Sequence, residues 1–148
     1  MKKLLFSKSK QLKHRVFEDI GSYQAIPKKK KVKKTTLRNK ADKLFSLYIR
    51  KIGICQLSGK DNIRCGGNLQ CMHITTRGTT ALRYDPLNAL CGCAGHHVYY
   101  THHPDDWTDF MKKNYPAQWN YVQSHKTDRV KKTEELYRQI IETYKEIL

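Results

Sequence analysis

Acidic residues are scarce in this chain. Its 148 residues hold 13 Asp and Glu against 29 Lys and Arg, a formal net charge of +16. That imbalance says nothing about fold, but it points to a polyanionic partner, and nucleic-acid phosphate is the natural candidate for a basic chain of this size. The bland alternative is a solvated basic surface of the ribosomal-protein kind. Cysteine is missing from two thirds of the chain: all five lie between Cys55 and Cys93. An odd, clustered set argues against a disulfide framework and for reduced thiolates around a metal in a cytosolic compartment. Long apolar runs are missing too. MKKLLFSKSK offers only Leu4 to Phe6, too short for a signal-peptide core, and no run approaches the ~18 residues of a membrane-spanning helix. The expectation is a soluble, cytoplasmic protein of one domain, with room for a modest core.

What is present divides the chain into three. Residues 1–35 form a basic segment and linker. Its run KKKKVKK, which includes Lys28, Lys29, Lys30 and Lys31, is too self-repelling to pack but suited to tracking phosphates. Residues 36–115 form the main domain. From Thr36 to Lys51, apolar Leu37, Ala41, Leu44, Phe45, Tyr48 and Ile49 make one helical stripe, which Gly53 stops. Between Cys55 and Ala94, glycines cut the chain into short strands and turns. Asp105 is placed to cap a helix to about Tyr115. Residues 116–148 form a helical extension. Pro116 starts one helix, and Asp128 to Leu148 carries the stripe of a second, packing on the core or meeting a partner or a second copy.

Cys93-Ala94-Gly95-His96 is a C-x-x-H knuckle, the spacing at which two ligands on a tight turn meet one ion. Cys55 and Cys65, bracketing the polar loop QLSGKDNIR, are the best second pair. Cys55, Cys65, Cys93 and His96 would then hold a closed structural Zn²⁺. Cys71 and Cys91 are left over, as buried small hydrophobes or with one of them in place of Cys65.

His73, Asn88 and His97 stand outside that set, in this order, with the knuckle immediately before the last. NLQCMHITTRGTTALRYDPLNALCGCAGHHVYYTHHPDDW resembles an HNH endonuclease of the small phage and prophage type, and KADKLFSLYIRKIGIC resembles the segment that leads into it. The resemblance covers roughly Leu37 to Phe110. It implies an α+β fold with a ββα-metal core, here flanked by an N-terminal helix and C-terminal helices. It implies that His73 ends the first strand as general base and that His97 begins the helix and binds a catalytic divalent ion (Mg²⁺, Mn²⁺, Ni²⁺ or Zn²⁺). It also implies that Asn88 lies in the loop between them, holding His73 or helping at the metal, and that the products carry 5′-phosphate and 3′-hydroxyl ends. The chemistry suits the residue types: a neutral imidazole accepts a proton from water near pH 7, and a cation stabilises the scissile phosphate.

One position departs from the family pattern. Met72 stands where many members carry Asp or His as a second metal ligand, and Met is a poor ligand for a hard cation. His102 is the candidate replacement, with Thr101 better placed but weaker. Arg77 and Arg83 flank the loop as candidate phosphate contacts. Tyr99, Tyr100 and Trp107 read as core. The expected function is DNA phosphodiester hydrolysis in a bacterial host cell, in the setting of phage replication, recombination or packaging. The alternative is a zinc-stabilised nucleic-acid-binding module that does not cut.

Overall fold

The computed structural model describes residues 32–148. The lysine run Lys28 to Lys31 lies outside the described residues. Within them the protein is α+β, with five α-helices and one two-stranded antiparallel sheet. No described helix is long and apolar enough to cross a membrane.

Helix α1 spans Lys34–Arg50 and buries Leu37, Ala41, Phe45 and Ile49, the stripe read from the sequence. Gly53 follows at φ 79°, a left-handed conformation that a side chain resists. A loop leads to β1, Leu69–His73. A further loop and a short 3-10 turn at Pro86–Asn88 lead to β2, Ala89–Cys93. The register pairs Leu69 with Cys93, Cys71 with Cys91 and His73 with Ala89. Helix α2, Ala94–His102, follows β2 without a break.

Helix α3 spans Pro104–Asn114, with proline in its first turn and no side-chain cap. Asp105 sits inside that turn rather than ahead of it, where its charge favours the helix dipole. Helix α4 spans Pro116–His125, starting at the expected proline. The last helix, α5, is shorter than its apolar stripe suggested. It spans Glu134–Ile147 and is capped by Thr133, whose hydroxyl accepts from Leu136 N–H. Residues 128–132 are not helical, and the Val130 amide is tied to Thr80 Oγ1 at 2.9 Å.

Alternation along the strands gives the sheet two buried faces. On one face Ala89 and Cys91 pack with Phe45 and Ile49 of α1 and Tyr144 of α5, and Cys71 adds to this cluster. On the other, Met72 and Leu90 pack with Leu57, Tyr100 of α2, Phe110 and Met111 of α3, and Val122 of α4. Gly92 makes the second face possible, because a Cβ there would stand 2.1 Å from Met72 Sδ. A third cluster, Leu37, Ala41, Tyr137 and Ile141, zips α1 to α5. The C-terminal helical segment therefore splits, with α4 on one side of the sheet and α5 on the other.

Candidate metal centre and cleft

The Cys3His group assembles from two knuckles. In the first, Arg64 to Gly67 turns tightly, with Gly67 at φ 73° and a would-be Cβ 2.8 Å from Ala94 Cβ. In the second, β2 ends at Cys93 and α2 begins, so His96 comes round within one helical turn. The two knuckles are stitched by Gly95 N–H to Gly66 O at 2.9 Å and Ala94 N–H to Asn68 O at 3.0 Å. His96 Nδ1 lies 3.0 Å from Cys93 Sγ and 3.7 Å from both Cys55 Sγ and Cys65 Sγ. All four ligand atoms lie within 4.8 Å of one another. Ligand atoms of a tetrahedral zinc, with bonds of ~2.3 Å to sulfur and ~2.0–2.1 Å to nitrogen, stand about 3.5–3.8 Å apart. The group is therefore within metal-binding distance.

Its surroundings are equally specific. His96 is fully buried, and its Nε2–H donates to Asp61 Oδ1 at 3.1 Å, which leaves Nδ1 turned toward the sulfurs. Asp61 also accepts from Tyr100 Oη–H at 2.7 Å and from Ile63 N–H at 3.0 Å. Burial opposes the charged carboxylate, but these donors outweigh it and hold Asp61 below its ordinary pKa. A carboxylate behind a histidine fixes the tautomer and strengthens the nitrogen as a ligand. Backbone amides serve the sulfurs: Gly66 N–H donates to Cys93 Sγ and Cys93 N–H to Cys55 Sγ. Burial raises the Cys93 thiol, yet the amide and imidazole of His96 prevail and bring it down to about 6, so it favours the thiolate a metal needs. Asp61 is a functional residue the sequence did not disclose.

His73 and His97 come from different elements, the end of β1 and the start of α2, and line the same two clefts. His73 ends the strand on the α1 face, its ring 5.6 Å from that of Phe45. Its Nε2–H donates to Arg83 O at 3.1 Å, leaving Nδ1 with a free lone pair. His97 lies in the first turns of α2, where its Nδ1–H donates to Gln70 Oε1, leaving Nε2 free. Two clefts, of about 310 and 630 Å³, meet at Cys71, His73, Arg77 and His97. Burial and the nearby charges of Arg77 and Arg83 lower the His73 pKa, and burial with Arg77 lowers that of His97. Both imidazoles are neutral at pH 7. Gln70, which orients His97, is a second residue that sequence reading missed.

Three expected roles change, those of Asn88, Arg83 and His102. Asn88 is fully buried, and its side-chain hydrogen bonds go elsewhere than to His73. It accepts from Thr75 N–H at 2.9 Å and donates to Leu82 O at 3.0 Å, closing the loop between the strands. Arg83 is not a free phosphate contact. Its guanidinium grips Asp42 of α1 twice, at 2.9 and 2.6 Å, and donates to Arg77 O. His102 is exposed, and five residues of helix turn it about 140° away from His97, so it lines neither cleft. Met72 points into the core, 3% exposed. Cys71 and Cys91 stay outside the Cys3His group. Burial raises both thiols, that of Cys71 to about 12, as suits packing residues.

Among family models, curated proteins and solved structures, nothing matches this chain.

Proposed function

We propose that this protein is a metal-dependent DNA endonuclease of the HNH kind and that Cys55, Cys65, Cys93 and His96 hold a structural zinc. The observation that carries the reading is the meeting of two neutral imidazoles, His73 and His97, with the exposed Arg77 at one sheet edge, one peptide bond from the Cys3His group. Three thiolates and a buried imidazole leave no open position, which is the composition of a structural site.

At the edge of β1, His73 Nδ1 takes the proton of the attacking water, its ring held by the Arg83 carbonyl and the Phe45 face. Arg77 supplies a positive charge for the phosphate. His97 Nε2, set by Gln70, is the protein's ligand for a divalent ion. Such an ion, when bound, neutralises charge on the scissile phosphate and the leaving oxygen. With Met72 buried and His102 turned away, His97 would be the one protein ligand here, and phosphate oxygens and water would be left to complete the shell, as is ordinary for Mg²⁺. Such an ion would be loosely held and exchangeable, unlike a zinc on the Cys3His group.

That thin shell is also the observation that favours a second reading, a zinc-stabilised nucleic-acid-binding module without cleavage. Supercoiled, linear, single-stranded and branched DNA, incubated with Mg²⁺, Mn²⁺ or Ni²⁺, separates the two. A nuclease cuts at least one of them, and His73→Ala abolishes cutting while binding persists. Binding without cutting in any ion, unchanged by His73→Ala, establishes the second reading.

A further inference from the structure

The larger cleft is walled by both tryptophans of the chain, Trp107 and Trp119. They differ in what they do there. Trp107 is fixed: its indole N–H donates to Ile74 O at 3.2 Å, and its ring stacks on Phe110 at 5.8 Å and 7°. Trp119 is half-buried, packs against the core cluster with part of its ring, pairs with no aromatic ring among the described residues, and has only the Lys112 ammonium above it, 6.0 Å from the ring centroid. Next to it on α4, Gln123 uses its Oε1 to accept from Lys126 at 2.9 Å, which leaves its amide N–H groups for a ligand. No acidic residue among those described lines the cleft, whose basic lining residues include Arg77 and Lys126. The smaller cleft, lined by Asp42, Arg50 and Arg77, has no tryptophan.

A concave, aromatic, acid-free cleft opening at the candidate scissile phosphate is what a flat, neutral base on an anionic backbone needs. Bases within an intact duplex are stacked and paired, and cannot turn into such a cleft without being extruded. We propose that the cleft takes up an unpaired nucleobase beside the scissile phosphate, stacked on Trp119. The preferred substrate is then DNA with at least one unpaired nucleotide at the cut, over fully paired duplex. This proposal rests on the nuclease reading above. It adds a specificity-determining residue, Trp119, and a substrate class.

Because both tryptophans line this cleft, the protein's intrinsic tryptophan fluorescence reports on it directly. His73→Ala protein, without added divalent ion, is titrated with unlabelled oligothymidylate and with a blunt duplex of equal length at equal salt. Single strands quench the fluorescence and the duplex quenches it far less. On the same background, Trp119→Leu weakens single-strand binding about tenfold, within the range for stacking on one ring, whereas Trp119→Phe stays within about threefold of the parent. With wild-type protein and Mn²⁺, a duplex carrying one unpaired nucleotide is cut faster than its fully paired counterpart. Equal quenching by duplex and single strand overturns the proposal, as does Trp119→Leu binding like its parent. If no DNA is cut in any ion, the nuclease reading fails, while the quenching result still decides whether the cleft takes an unpaired base.

Discussion

The Cys3His group and the histidine cleft share the bond between His96 and His97, yet they are built on opposite principles. In the first, the buried members are held from behind: Asp61 and Tyr100 stand behind His96, and amides serve Cys55 and Cys93, with Cys65 alone on the exposed side. In the second, each histidine has one ring nitrogen engaged and one free. A site that holds a fold together must be closed and over-determined. A site that meets a substrate must leave its reactive atoms unsatisfied until the substrate arrives. The difference teaches that adjacency in sequence is compatible with opposite roles, provided each side chain is anchored from its far side.

The comparison predicts an order of effects. Breaking the closed site comes first. Cys93→Ser should cut bound zinc from one per chain to none by elemental analysis and leave the domain unfolded by circular dichroism at 25 °C, because apparent structural-zinc affinities reach ~10 kcal/mol or more. A folded, zinc-free wild type would sink that assignment. Breaking the open site should leave the fold intact: His73→Ala should slow cleavage by ~10²–10⁴, the usual worth of a general base, with circular dichroism and zinc content unchanged. Gln70→Leu should weaken the activating ion by ~10–100-fold, as losing a ligand's orienting partner does, and calorimetric Mn²⁺ titration would show it. Equal Mn²⁺ affinity would remove Gln70 from the site.

Two smaller effects sharpen the contrast between neighbouring arginines. Arg83→Gln breaks the paired grip on Asp42 and should cost about 1–2 kcal/mol in urea unfolding, discounted for partial exposure. Arg77→Ala should leave stability alone and lower the salt slope of DNA binding by about one. The smallest effect is in pH. Burial lowers the His73 pKa, and on the proposed nuclease reading the neutral ring is the base. Cleavage should therefore climb as pH rises through that lowered value and be level by the ordinary histidine pKa of ~6.5. The sign for stability is the same. The folded state disfavours the charged ring, so this contribution is complete above the unfolded pKa and declines as pH falls toward the folded one. A cleavage profile still rising above pH 7.5 would point to a different base.

The sequence made some of this legible and hid the rest for physical reasons. The apolar stripe of Leu37, Ala41, Phe45 and Ile49 announced α1, and Pro116 announced the start of α4, because both signals are local. The C-x-x-H knuckle was local too, and the polar loop between Cys55 and Cys65 suggested its partners. Asp61 and Gln70 had no such signature. Each is a single polar residue whose role exists only once the chain has brought it to a histidine 35 or 27 positions away. Arg83 looked like a phosphate contact because its partner Asp42 lies 41 residues earlier. Asn88 was legible as important and illegible in its role, since order along the chain does not say which backbone groups an amide will meet. The end of the α5 stripe nearest Asp128 was overread because Val130 shares its apolar phase while its amide is bound to Thr80.

Helices α1 and α5 run side by side in the same direction. Leu37 and Ala41 meet Tyr137 and Ile141 near their starts, and Lys51 Nζ reaches the carbonyls of Ile147 and Leu148, 3.2 Å away, near their ends. The pairing joins segments about a hundred residues apart, and α5 is the last of the described elements to be synthesised. During synthesis α1 therefore waits through the making of both metal knuckles. The face around Phe45 and Cys91 stays open to the solvent until α5 has left the ribosome. The four residues of the Cys3His group are thus all in place before the first helix has its partner, and in that interval apolar surface is open to aggregation and to chaperones.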